Sequence, residues 1–115
     1  MTEEIKGFTE FKESIEEGPI LIAFFKRRES RKTRYALMLI EDIKSYFKNV
    51  LKVKVVFEDT LPNLFKSEEI VGNPHFKLYI NGTSVWEQIG CLMNYDNDIL
   101  VLKRSIREAL KSSNV

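Results

Sequence analysis

The chain has one cysteine, three prolines, five glycines, one tryptophan and one histidine among 115 residues. Each scarcity excludes something. A single thiol forms no internal disulfide and no cysteine-based zinc site. No apolar run nears the ~20 residues that cross a bilayer as a helix. The opening Met1-Thr2-Glu3-Glu4-Ile5-Lys6-Gly7 carries acid where a secretory leader carries bases ahead of an apolar stretch. Repeats, low-complexity tracts and linkers are missing too. Neither charge sign is in excess, with 18 Lys+Arg against 17 Asp+Glu and a net charge of +1. Apolar residues are plentiful at 43%, too many for a disordered segment. The expectation is one soluble, cytoplasmic domain over residues 1–115, with no membrane contact.

The apolar residues are spaced to form elements. Phe8, Phe11 and Ile15 lie on one face of a helix over 8–17, which Gly18-Pro19 stops. Ile20 to Phe25 is a short continuous apolar run, as in a strand buried on both faces. Tyr35, Leu39, Ile43 and Phe47 recur every fourth residue and predict a long helix over 29–47. Residues 51–57 are rich in β-branched side chains and predict a strand. A short helix follows over 61–71, with Pro62 in its first turn and with Leu61, Leu64, Phe65, Ile70 and Val71 as its apolar contacts. Asn81-Gly82 between strands 76–80 and 85–89 predicts a type I′ hairpin, because both turn residues need positive φ. Ile99, Leu102, Ile106 and Leu110 line a closing helix over 97–110.

A helical crossover makes the first two strands parallel, and the hairpin makes the last two antiparallel. The fold class is therefore α/β: a mixed sheet of four to five strands with helices on both faces.

Charge is unevenly placed. Lys26, Arg27, Arg28, Arg31, Lys32 and Arg34 oppose only Glu29, so residues 26–34 carry +5 and the rest of the chain −4. The cluster lies where a strand ends and a helix begins, and a helix start offers free N–H groups and partial positive charge. An anion there would meet backbone donors and cations together. Two readings stay open: an anion-binding loop, or charges that simply face water. Nucleic acid is disfavoured, since Tyr35 is the one aromatic nearby. Glu29 and Lys32 are spaced to pair across the first turn, and Ser30 is the better N-cap type.

The order of elements and several colinear residues resemble thioredoxin over Phe8–Leu110. Gly18-Pro19-Ile20-Leu21-Ile22-Ala23-Phe24-Phe25 is similar to the strand that leads into the thioredoxin active-site loop. Val55-Val56-Phe57-Glu58-Asp59 with Pro62 is similar to the next strand and its exit. Gly72-Asn73-Pro74 is similar to the cis-proline stretch, and Asn81-Gly82 and Gly90 fall at the family's hairpin turn and later glycine. The resemblance implies a single thioredoxin-like domain. It also implies losses. The Cys-X-X-Cys aligns with Glu29-Ser30-Arg31-Lys32, the buried acid with Ala23, its facing lysine with Val55, the preceding tryptophan with Arg28, and the helix-kinking proline with Leu37. Thiol–disulfide exchange needs one thiolate to attack and another to resolve the mixed disulfide. Dithiol oxidoreductase activity is therefore not expected, and no residue is assigned a catalytic role.

The resemblance places Asn73-Pro74-His75 beside the basic loop, with Asn73 offering backbone hydrogen bonds to an extended peptide. The expected function is a redox-inactive adaptor or chaperone-like module. It would hold an extended or acidic protein segment through Arg28, Glu29, Ser30, Arg31, Lys32, Asn73, Pro74 and His75, without metal or cofactor. His75 is expected at the loop edge, where the cations favour its neutral ring. Ser30 is its one nearby nucleophile, and no acid is evident to orient the imidazole. Cys91 reads as a small buried apolar residue or, more sharply, as a single reactive thiol. Single-thiol chemistry there, or an enzyme holding an anionic cofactor at the basic loop, is the alternative. Tyr79 and Trp86 read as core.

Overall fold

The computed structural model describes residues 2–113. Its elements run β1 (Glu3–Glu4), α1 (Phe8–Glu16), β2 (Ile20–Phe25), α2 (Arg31–Tyr46), β3 (Lys52–Phe57), α3 (Pro62–Ser67), β4 (His75–Ile80), β5 (Thr83–Ile89) and α4 (Tyr95–Ser112). The sheet has five strands in the order β1-β3-β2-β4-β5. β2 pairs parallel with β3, and β4 pairs antiparallel with both β2 and β5.

β2 sits at the centre, and all six of its residues are buried. Because successive side chains alternate between faces, Leu21, Ala23 and Phe25 join one core and Ile20, Ile22 and Phe24 the other. The first core is closed by α2 and α4 through Ala36, Leu39, Ile40, Ile43, Leu102, Ile106 and Leu110. The second is closed by α1 and α3 through Phe11, Ile15, Leu64 and Phe65. Phe24 meets Phe11 and Phe65 edge-on, with ring centroids 6.2 and 5.5 Å apart. Burying one such side chain contributes about 1.5–3 kcal/mol, so the two layers dominate stability.

Asn81 and Gly82 both take positive φ, as the hairpin turn requires. Three readings need correction. Phe8 is more than half exposed and does not complete the α1 stripe. Helix α3 ends at Ser67, because Glu69 turns to φ 56° and breaks the helical path. Val71 is therefore exposed instead of packed, while Ile70 stays in the core. The pairing of Glu3–Glu4 with β3, which follows no sequence period, adds an edge strand and buries Ile5.

Candidate functional site

The loop after β2 is shaped by neutral polar groups. Ser30 caps α2 by accepting the Thr33 N–H at 3.0 Å. The Thr33 side chain is fully buried. Its hydroxyl donates to the Arg27 carbonyl at 2.7 Å and accepts from the Ser30 hydroxyl at 2.9 Å and the Asn73 amide at 3.2 Å. One donor and two lone pairs are thereby filled. The Asn73 carbonyl oxygen accepts the Lys26 N–H at 2.9 Å, so one amide staples the loop to the turn before β4. The pair that meets across the first helical turn is thus Ser30 and Thr33, one residue on from Glu29 and Lys32. Among the described residues, no ion pair joins Glu29 to Lys32.

Arg28 does not face the loop's other cations. Its guanidinium grips Asp59 with two bonds of 2.9 Å and Glu4 with bonds of 3.0 and 3.2 Å. It also donates to the Thr60 hydroxyl at 3.1 Å and lies 4.1 Å from the Phe57 ring centroid. These bonds hold both the Glu4 and Asp59 carboxyls below the ordinary carboxylate range. Arg28, a candidate anion-holding residue, directs four of its bonds to the carboxylates of Glu4 and Asp59. Among the described residues, no hydrogen bond or ion pair engages the exposed side chains of Arg27, Arg31, Lys32 or Arg34. The first turn of α2 contains no acid, so Arg31 and Lys32 stand unneutralised at the positive end of the helix.

His75 is also placed differently from its sequence reading. It is the first residue of β4 and 1% exposed. Phe76, Leu78 and Ile80 fill the α2/α4 core and Tyr79 the opposite one, so alternation turns His75 and Lys77 toward the α1/α3 side. Nδ1 accepts the Val71 N–H at 3.2 Å, and Nε2 lies 2.6 Å from a Glu87 carboxylate oxygen. A backbone N–H only donates, so Nδ1 is bare, and the ring's proton sits on Nε2 facing Glu87. Among the described residues, no hydrogen bond joins the ring to Ser30.

Other residues complete the face. The Asn73–Pro74 peptide is cis. The Pro74 carbonyl accepts the Gly90 N–H at 2.7 Å, which lays residues 71–74 against the end of β5. A Cβ on Gly72 would lie 2.6 Å from the Ile89 Cγ2 and 3.2 Å from the Pro74 carbonyl oxygen. Val71, Ile89, Leu92 and Met93 are all exposed there, at 64, 57, 70 and 43%. Cys91 lies among them, half-buried, with Sγ 3.7 Å from the Met93 sulfur. Burial, then the Asp98 carboxylate, pushes the Cys91 thiol above the ordinary range, while the charge of Lys32 pulls weakly the other way. Asp98 is itself buried and is bonded by the Tyr35 hydroxyl and, at 2.9 Å, by the Leu92 N–H. That carboxylate raises the Tyr35 hydroxyl's pKa, after the larger effect of burial. Among the described residues, no three His, Cys, Asp or Glu side chains gather as metal ligands would.

Of the candidate residues, Glu29, Ser30, Arg31 and Lys32 open α2, Asn73 bonds to that loop beside Pro74, Cys91 follows β5, Arg28 pairs with Glu4 and Asp59, and His75 is buried between Val71 and Glu87. Sequence reasoning missed Thr33, Val71, Ile89 and Leu92. Thr33 had a signal, since Ser30-Arg31-Lys32-Thr33 spaces two hydroxyls across a helix start. The exposed apolar residues had none.

No protein-family model matches the chain, and no curated protein matches it. Solved structures do. Thioredoxin from Trypanosoma brucei brucei superposes with a TM-score of 0.80 at 15% identity, over 96% of this chain and 92% of that one. Plasmodium falciparum thioredoxin gives 0.75 at 23% identity, over 93% and 98%. Mitochondrial thioredoxin 3 of Saccharomyces cerevisiae gives 0.77 at 17% identity, over 93% and 94%. This chain has the thioredoxin fold, with its single cysteine after β5 and none in the loop that opens α2.

Proposed function

We propose that the protein is a redox-inactive binding module that holds an extended, partly acidic segment of another protein. The observation that carries this reading is the pairing of two kinds of surface. Among the described residues, no hydrogen bond or ion pair engages Arg31 or Lys32, and an exposed apolar rim of Val71, Ile89 and Leu92 lies beside the Asn73–Pro74 turn. An extended segment meets such a face with alternate side chains, apolar on the rim and acidic toward the cations. Dithiol exchange is not available, because the chain has one cysteine.

A synthetic peptide alternating leucine and aspartate is the probe. Its titration should move the amides of residues 30–34, 71–74 and 89–92. Affinity should fall with added salt, since exposed charges are screened. Amides that stay still in all three segments would defeat the proposal. One observation favours thiol chemistry instead, namely that Cys91 shares this face; its raised pKa keeps it a thiol near neutrality. Insulin reduction that disappears in Cys91→Ser would overturn the redox-inactive part.

A further inference from the structure

We infer that His75 is a positioning residue that sets the Val71 rim of this face and couples it to protonation; the functional part of this inference rests on the binding reading above. Among the described residues, no hydrogen bond or ion pair joins His75 to the basic loop. It stands between two elements instead. Nδ1 holds the backbone of Val71 in the segment after α3, and Nε2 holds Glu87 on β5. Val71 carries an exposed apolar side chain before the Asn73–Pro74 turn, at 64%. Its N–H has a fixed acceptor only while Nδ1 is bare.

A second proton on the ring goes to Nδ1, since Nε2 already carries one. Nδ1–H would then face the Val71 N–H, donor against donor, with neither group satisfied. Leaving a half-buried backbone donor unmatched is costly, so residues 70–72 must shift to restore a partner. Among the described residues, Glu87 on β5 is the charged group bonded to the ring, and Lys77 lies two residues on along the same face of β4, paired with Glu68 beyond α3. Lys77 is taken up by Glu68, donating to its carbonyl at 2.6 Å and standing 3.8 Å from its carboxylate. Glu68 also accepts the Tyr79 hydroxyl. Glu87 is therefore the counter-charge available to a cationic ring. Protonation would keep the Glu87 side of the contact and release the Val71 side, which makes the response one-sided.

The test separates the two ring nitrogens. His75→Asn places an amide oxygen near Nδ1, and His75→Gln places its amide near Nε2. By amide hydrogen exchange at neutral pH, Val71 should keep its protection in His75→Asn and lose at least about tenfold in His75→Gln, as a lost buried hydrogen bond predicts. In the wild type, the Val71 amide resonance should move as the imidazole carbon protons titrate. In Glu87→Gln, a surface change that leaves the core intact, the Val71 amide should still follow the ring. Equal Val71 protection in the Asn and Gln variants, or a Val71 amide that ignores the ring's titration in both wild type and Glu87→Gln, would overturn the inference. The leucine–aspartate peptide reports separately. Failure of the peptide to bind, with Val71 still following His75, removes the binding reading and leaves the positioning role standing.

Discussion

Arg28 and Arg31 stand three residues apart and carry the same guanidinium, yet one is built into the fold and the other is left outside it. Arg28 meets carboxylates that lie 24 and 31 residues away along the chain. Arg31 meets none among the described residues. A count of charges gives both residues equal weight. What separates them is which backbone segments the sheet brings alongside: β1 and the residues after β3 supply carboxylates to Arg28, and among the described residues no carboxylate pairs with Arg31. The loop therefore has an inner layer whose groups hold one another, made of Arg28, Thr33 and Asn73. Its outer layer has groups that hold nothing, made of Arg31, Lys32 and Arg34.

Breaking the inner layer at its hub should have the largest effect. Thr33→Val keeps the shape and deletes the hydroxyl, leaving the Arg27 carbonyl and the Asn73 amide unmatched. Denaturant unfolding should show a loss of about 2 kcal/mol with an unchanged slope. A loss under about 0.5 kcal/mol would show that the hub contributes nothing beyond a hydrophobic side chain.

Arg28→Ala should cost less, about 1 kcal/mol near neutral pH, from the Glu4 fork and the Phe57 ring together. Its signature is the pH dependence. Arg28 lowers the folded-state pKa of Glu4 and Asp59, so the stability it supplies is fully present above the ordinary carboxylate value of about 4. That contribution is lost as pH falls through the lowered folded values. The gap between wild type and Arg28→Ala should close in acid, and thermal unfolding at a series of pH values measures it. A gap that persists at the acid end would assign the stabilisation to the Phe57 contact alone.

The outer layer should barely register in stability. Arg31→Ala with Lys32→Ala should change unfolding free energy by less than about 0.5 kcal/mol, and toward greater stability, because cations oppose the dipole at a helix start. The same variant should bind the leucine–aspartate peptide about tenfold more weakly. A variant that loses stability and affinity together would erase the distinction between the layers.

The fold was legible because its core elements obey simple periods. β2 is an unbroken apolar run, α2 repeats every fourth residue, and Asn81-Gly82 marks the hairpin. β1 was not legible, since two residues display no period. The end of α3 was hidden because nothing in Glu69 announces a positive φ, and the mistaken length carried Val71 into the core. The basic cluster and Gly72-Asn73-Pro74 marked a candidate face, and the Asn73 amide does join the two segments. Which of its residues remain available was not legible. Strand β4 begins at His75 and not at Phe76, and that single residue fixes the parity that turns the imidazole away from the loop. The carboxylates that occupy Arg28 are distant in sequence, so local charge patterning is blind to them.

Gly72 sets the gauge of the binding face. With no side chain, it lets the turn before β4 rest against Ile89, closer than any β-carbon would allow. The separation between the two rims is therefore governed by one hydrogen atom at the mouth of the molecule, apart from the cores on either side of the sheet. A methyl group there would act as a shim, forcing Ile89 or the turn outward and widening the aperture. The spacing between Val71 and Ile89, and with it the breadth of segment the proposed binding role would admit, is thus adjustable at one position without redesigning the fold beneath it.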